Sequence, residues 1–497
     1  MTRQGSQNEG KVEEVLLYHQ DINGVPATPF GTLFEGTSYA VQVKNVLFIT
    51  LDVFKPVGDQ TRNYIDRENG FGGEGAITGD VDGDHLQWFV RILAAANEDP
   101  SIQHIFVQSH LPILQPVRKE NSSGQFLDGA EESKLWRAME KGGVDVYFAG
   151  DVHRNTASKS ENSNLIQVVT MSNRLQSFLR VNITDTMIEM VTFGTNTVHG
   201  QYDNGSFHET GKLVIVKEKG SEGVLFDSTG DLALMDLQKP LIFFGFDEIR
   251  PLSLWQILDI KSTTVDNVEC VNVVENLGVY GKNYDALISN VTLVSGRRSG
   301  GNLSGQFDYN SRLAIHRMGP HSAGEIISVA LWFKTAKHED EMILMSYVNR
   351  YGRKYGPPNG KNDFILTLDD GVPTYYFHPE LSFRALGSPS LADGEWHHLA
   401  LSMPKKSCLM SEFQLYVDGS NVDTVYLGDK KWGENHVFFT TSGQMNFAGF
   451  GYAGQKMRDG FPTKGPFIGE LDEIGIWARP LSGFDVQQIM DVGIGRL

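Results

Sequence analysis

Two short stretches carry residue types that could do chemistry: Gln108-Ser109-His110-Leu111-Pro112 and Gly150-Asp151-Val152-His153. Imidazoles and carboxylates are ligands for borderline and hard ions such as Mn, Fe and Zn. Each stretch follows an apolar run that reads as a buried strand, Ile105-Phe106-Val107 in one case and Val144 to Ala149 in the other. Side chains that emerge where such strands end converge above one edge of a sheet, where His110, Asp151 and His153 could share a metal. Two ions held ~3.5 to 4 Å apart would activate a bound water and clamp the charge developing on a phosphate ester. Two histidines and one aspartate are too few ligands for such a two-metal centre.

The elements that must position these residues are legible around them. Tyr39 to Val43 alternates like a half-buried strand, and Val46 to Asp52 follows as a continuous apolar strand across a Lys44-Asn45 turn. Residues 55 to 83 are a Gly- and Asp-rich loop, in which Gly79-Asp80-Val81-Asp82-Gly83-Asp84 reads as a solvated turn. His85 to Leu93 has apolar residues at helical spacing, with Asp84 as the expected N-cap. A strand at 104–108, a helix from Glu131 to Lys141 and a strand at 144–149 complete the alternation expected of a layered α/β domain with a largely parallel sheet. Leu165–Thr170, Phe178–Ile183, Met187–Phe193 and Leu213–Lys217 read as short strands of an antiparallel second layer. From about residue 239 nearly everything is strand and turn, the pattern of one β-sandwich. The expected organisation is an irregular segment over 1–36, an α/β (α+β layered) domain over 37–225, and an all-β jelly-roll sandwich over 239–497.

Composition narrows the partners. The chain has 497 residues, 40% of them apolar, and a formal net charge of −18. That charge repels phosphate backbones, so nucleic acid is excluded as a partner. A phosphate substrate is not excluded, because a bound metal would dominate the local field. No apolar run approaches the roughly 20 residues of a membrane helix, and the polar first ten residues contain no signal-peptide core. Asn-x-Ser/Thr sequons at Asn121, Asn182, Asn204, Asn290 and Asn302 point instead to glycosylation and the secretory pathway. Two cysteines, Cys270 and Cys408, cannot frame a scaffold or a Cys-based zinc site; one bridge or two buried thiols both remain open.

The order strand, Ser109-His110-Leu111-Pro112, helix, strand, Gly150-Asp151-Val152-His153 resembles the C-terminal half of calcineurin-like metallophosphoesterases. The resemblance implies a hydrolase of phosphate mono- or diesters that uses Mn, Fe or Zn, two ions in a complete site. His110 and Asp151 would ligate one metal, Asp151 standing where the family more often has a histidine, and His153 would ligate the other. The loop over 55–84 would lie near substrate. The family's N-terminal motifs, Asp-x-His, Gly-Asp-x-x-Asp and Gly-Asn-His-Asp/Glu, do not precede residue 110, and Tyr18-His19-Gln20-Asp21 is a poor match to the last of them. The chain therefore carries about half of the family's ligand set.

Four strings in the second region occur in the order expected of a laminin-G-like, concanavalin A-like jelly roll, which they resemble. They are Gly245-Phe246-Asp247-Glu248, Gly394 to Ala400, Leu415-Tyr416-Val417-Asp418-Gly419, and Phe467 to Ser482. Trp396 and Trp477 read as packing aromatics, Asp418-Gly419 as a tight hairpin turn, and His397-His398 as neighbours facing opposite ways on a strand. Asp472-Glu473 reads as a loop anchor, with calcium as the other ligand expected of such carboxylates. The module implies binding of a glycan or an extracellular protein. Two functions therefore stand against each other. One is a metal-dependent phosphoesterase tethered to a binding module. The other is a non-catalytic binding or adhesion protein with a degenerate or truncated phosphoesterase domain.

Overall fold

The computed structural model describes residues 21–56, 77–79, 81–114, 117, 132–152, 154–171, 177–194, 207–217, 224–236, 238–252, 264–265, 268–281, 284–298, 302–315, 328–337, 342–348, 364–378, 381–402, 408–409, 412–427, 437–438, 444–447 and 465–496. Among these the protein is mostly β, and its C-terminal part is an all-β sandwich.

The N-terminal body is built on one six-stranded sheet. Its strands are β1 (Tyr39–Val43), β2 (Val46–Thr50), β5 (His104–Gln108), β6 (Val146–Ala149), β7 (Thr156–Lys159) and β8 (Ile166–Val169); a separate small ladder pairs β3 (Phe54–Pro56) with β4 (Ile77–Gly79). The order is β1-β2-β5-β6-β8-β7, with β2, β5, β6 and β8 mutually parallel and β1 and β7 antiparallel at the edges. The central strands are buried almost continuously because both faces of the sheet are covered.

On one face lie α1 (Gly83–Glu98) and α2 (Lys134–Lys141). Trp88, Phe89, Ile92 and Leu93, at helical spacing on α1, pack with Trp136 and Met139 of α2 against Leu47, Ile49, Val107 and Tyr147. The Trp88 indole donates to the Pro26 carbonyl (2.8 Å), which ties the segment before β1 onto the same helix. On the other face a four-stranded antiparallel sheet is formed by β9 (Ser177–Ile183), β10 (Met187–Gly194), β11 (His208–Lys217) and β12 (Val224–Gly230). Ile188, Met190, Leu213 and Ile215 bury against Phe106, Val146, Ile166 and Val168.

Three local expectations need correction. The segment over 165–170 is not part of the antiparallel layer: β8 joins the central sheet parallel to β6, because its Val168 faces one core and Val169 the other. Asp84 is not the N-cap of α1. The helix begins at Gly83 after Asp82, and Asp84 lies in the first turn, where its charge complements the helix dipole. The helix expected from Glu131 starts at Lys134, where the Ser133 hydroxyl accepts from the Trp136 N–H (3.1 Å).

The sandwich opposes two largely antiparallel sheets across one core that includes Phe307, Leu331, Phe333, Leu399, Leu471 and Ile474 from one side and Leu313, Leu344, Leu366 and Tyr375 from the other. The strand Gly469–Trp477 lies centrally, between Leu303–Phe307 and Ser328–Lys334. A third helix, α3 (Gly483–Val492), starts with a Ser482–Asp485 capping box. Its Val486 and Ile489 pack on Trp477, Ala330 and Tyr416, which makes Trp477 a fully buried packing residue. Cys270 is buried in the core of this domain, and the Cys408 side chain lies outside the described residues.

Candidate metal centre at the carboxyl edge of the parallel sheet

The register of the parallel strands brings their carboxyl ends level. Thr50 pairs with Gln108, Gln108 with Phe148, and Ala149 with Val169. The chain therefore leaves β2, β5, β6 and β8 along one edge, and the loops that follow line a cleft of about 480 Å³. Thr50, Asp52, Gln108, Ser109, His110, Gly150 and Thr170 all face it.

Backbone bonds continue past the strands and fix these loops. Leu51 N–H donates to the Gln108 carbonyl (2.9 Å), Ser109 N–H to that of Phe148 (3.0 Å), Gly150 N–H to that of His110 (2.9 Å), and Thr170 N–H to that of Ala149 (3.0 Å). The turn at Asp151 is tighter still. Val152 N–H donates back to the Gly150 carbonyl (2.8 Å), closing a three-residue turn with Asp151 at φ 62°. A positive φ in so tight a turn is costly for any side chain with a Cβ.

The two loops bring the His110 Nε2 to 3.5 Å from the Asp151 Oδ1. The imidazole is 54% exposed and the carboxylate 9% exposed, so one side of the pair faces the cleft while the aspartate is seated in the protein. Two ligands at about 2.1 Å from a tetrahedral ion stand about 3.4 Å apart. The observed separation is that of a direct imidazole–carboxylate pair and also matches one edge of such a coordination shell; the donor chemistry, one nitrogen and one oxygen, suits Zn, Mn or Fe. His153 lies outside the described residues. Among the described residues no group of three or more His, Cys, Asp or Glu side chains gathers around one point.

Sequence reasoning missed the residues that hold the loop after His110 in place. Gln167, fully buried on β8, accepts from the N–H groups of Ile113 (2.7 Å) and Leu114 (2.9 Å) through Oε1 and donates from Nε2 to the Leu114 carbonyl (3.0 Å). The buried Tyr147 hydroxyl donates to the Leu111 carbonyl (2.6 Å), and burial raises its pKa, so it stays a neutral donor. Asp52 stands in the sequence as the end of an apolar strand, and its position just after β2 is the same signal that singles out His110 after β5. Beside it, His85 of α1 is buried against Phe34 (ring centroids 4.2 Å apart), and burial lowers its pKa to about 4 against the opposing pull of Asp52 and Asp82.

The sandwich accounts for its own polar residues structurally. His398 is buried, and desolvation, then the charge of Arg297, lowers its pKa to about 3. His397 faces the other way. Burial pulls its pKa down, but Asp418 (2.8 Å) and Asp393 (3.1 Å) more than offset this and hold it above the ordinary value. Asp418 and Gly419 have φ of 46° and 80° in the hairpin that joins Gln414–Val417 to Ser420–Val422, the two left-handed residues a tight turn of this kind requires. Glu473, at φ 44°, faces Arg297 (3.4 Å) and Arg298 (3.7 Å). Asp472 is buried, and desolvation, then the Glu473 charge, raises its pKa to about 7.

Residues 307–487 match the family model of the concanavalin A-like lectin/glucanases superfamily. The C-terminal sandwich is a domain of that kind. No curated protein matches the chain. Among solved structures, the CBM40 module of Ruminococcus gnavus IT-sialidase bound to α2,6 sialyllactose is similar at 16% identity, over 33% of this chain and 82% of that one, with a TM-score of 0.23. A leech intramolecular trans-sialidase is similar at 13% identity, over 41% and 28% of the two chains, with a TM-score of 0.24. Trypanosoma rangeli sialidase is similar at 10% identity, over 63% and 52%, with a TM-score of 0.32. Likenesses of this size define neither the fold nor the ligand of this chain. Among the described residues no helix is long and apolar enough to cross a membrane.

Proposed function

We propose that the N-terminal body is the ligand-bearing second half of a metallophosphoesterase-type hydrolase, and that the sandwich docks it to a glycan or extracellular protein. The observation that carries the first part is the His110–Asp151 pair, 3.5 Å apart on loops that leave adjacent parallel strands. His110 and Asp151 would hold one Mn, Fe or Zn ion, and His153 would contribute to the second. Such an ion lowers the pKa of a bound water and polarises a phosphoryl oxygen. The chain's own part is to hold that ion in a fixed place: Gln167 and Tyr147 pin the loop after His110, and the turn at Asp151 sets the carboxylate. The cleft beside the pair has the size of a small-ligand site.

The second part rests on the lectin/glucanase family match of residues 307–487. A calcium ion near Asp472 is included in the proposal, since its Oδ2 is buried without a hydrogen-bond partner among the described residues. Extracytoplasmic location is included as well. Asn182 is an exposed sequon asparagine, so expression in a secretory host should yield chains that shorten in apparent mass on enzymatic deglycosylation.

Turnover of p-nitrophenyl phosphate and bis(p-nitrophenyl) phosphate by Mn- or Zn-loaded protein tests the hydrolase. Turnover that His110→Ala abolishes supports it. A metal-loaded chain that cleaves neither ester contradicts it and leaves the second reading, a non-catalytic binding protein.

A further inference from the structure

A second cleft, of about 420 Å³, lies at one end of the sandwich and is lined by Asn290, Thr292, Asp308, Asn310 and Arg312. The topology explains why these five residues meet. The chain leaves one sheet after Ala286–Ser289, crosses at Asn290 and enters the other at Thr292–Ser295. It returns from Leu303–Phe307 through residues 308–311 into Arg312–Ile315. The outgoing and returning strands pair in both sheets, so the two crossings lie side by side.

Hydrogen bonds lock the crossings together. Ser311 Oγ donates to the Asn290 carbonyl (2.5 Å), and Asn290 Nδ2 donates to the Asn310 carbonyl (3.2 Å). Within the second crossing, Asp308 N–H donates to Ser311 Oγ (2.8 Å) and Asn310 N–H to the Asp308 carboxylate (2.7 Å). Arg312 Nη1 donates to the Ser311 and Tyr309 carbonyls (2.9 and 3.3 Å). The lining is therefore held in place before any ligand arrives, which removes much of the ordering cost of binding.

The chemistry of the cleft is that of hydroxyl recognition. Amide, carboxylate, hydroxyl and guanidinium groups together offer both donors and acceptors. One cation and one anion balance, so the lining favours an uncharged ligand. Tyr309, next in sequence to two lining residues, is 65% exposed, and an exposed aromatic ring suits the C–H groups of a sugar. We propose that this crossing is a subsite for a neutral saccharide, a proposal that rests on the docking role given to the sandwich above.

The test is binding of the full chain, made in a bacterial host so that Asn290 is unmodified, to an array of neutral and sialylated oligosaccharides. Tyr309→Ala and Asp308→Ala are compared with wild type, and thermal melts verify their folding. The expected result is retention of neutral glycans by wild type and about a tenfold loss of affinity, or 1.4 kcal/mol, in both variants. Tyr309→Ala keeps the test valid should Asp308→Ala disturb the turn. Undiminished binding by folded Tyr309→Ala overturns the subsite and leaves the docking role standing. Retention of sialylated glycans alone overturns the neutral assignment. A wild-type chain that retains no glycan overturns the docking role and the subsite with it.

Discussion

The backbone N–H of Gly150 donates to the carbonyl of His110 across 2.9 Å, joining the loops that follow two adjacent parallel strands. The bond lies beyond the last ladder pair and holds the residue before Asp151 against His110 itself. The main chain thus fixes the positions from which the imidazole and the carboxylate reach one another, and such support of its ligands is what a metal site requires.

Gln167 extends this support from below. Replacing it with leucine at similar volume would leave the buried N–H groups of Ile113 and Leu114 without their acceptor. The expected cost is roughly 2–5 kcal/mol, read as a lower melting temperature. Metal affinity should fall about 10–100-fold, as for other groups that orient ligands. Isothermal titration with Zn or Mn would check this, and an unchanged affinity in folded Gln167→Leu would show that the His110 loop needs no such anchor.

Asp151 combines a chemical role with a conformational one, and two substitutions separate them. At φ 62°, glycine is tolerated whereas alanine is strained by roughly 1 kcal/mol. Asp151→Ala should therefore be less stable than Asp151→Gly in denaturant titrations, while both lose metal equally. Equal stabilities would contradict the left-handed turn.

The sandwich should lose stability in acid through His398. Its folded pKa, about 3, lies below the ordinary value of 6.5, because burial and then Arg297 disfavour the charged ring. Between those values the unfolded chain binds a proton that the native chain does not. The contribution is fully present above pH 6.5 and is lost as pH falls toward 3. The slope is at most about 1.4 kcal/mol per pH unit. Denaturant midpoints measured from pH 7 to pH 4 should fall less steeply for His398→Leu than for wild type; parallel slopes would contradict the assignment.

Much of this was legible in the sequence because burial and turn chemistry write short-range patterns. The strands that carry His110 and Asp151, the Asp418-Gly419 turn and the opposite faces of His397 and His398 all follow from residues within a few positions of one another. What could not be read depended on distant pairing. β8 has the same apolar composition as a strand of the antiparallel layer, and only its place beside β6 puts it in the central sheet. Gln167 and Tyr147 look like ordinary strand residues until the loop of residues 111–114 folds over them. The polar cleft at the sandwich end, likewise, needs two chain crossings separated by some twenty residues to lie side by side.

In the proposed function His110 and Asp151 hold a metal. Purified chain loaded with Mn, Fe or Zn, dialysed against metal-free buffer and assayed by inductively coupled plasma mass spectrometry tests it most directly. Wild-type chain is expected to keep at least one transition-metal ion, and both His110→Ala and Asp151→Gly to lose it. A wild-type chain that retains no such ion, or variants that retain as much as wild type, would contradict it.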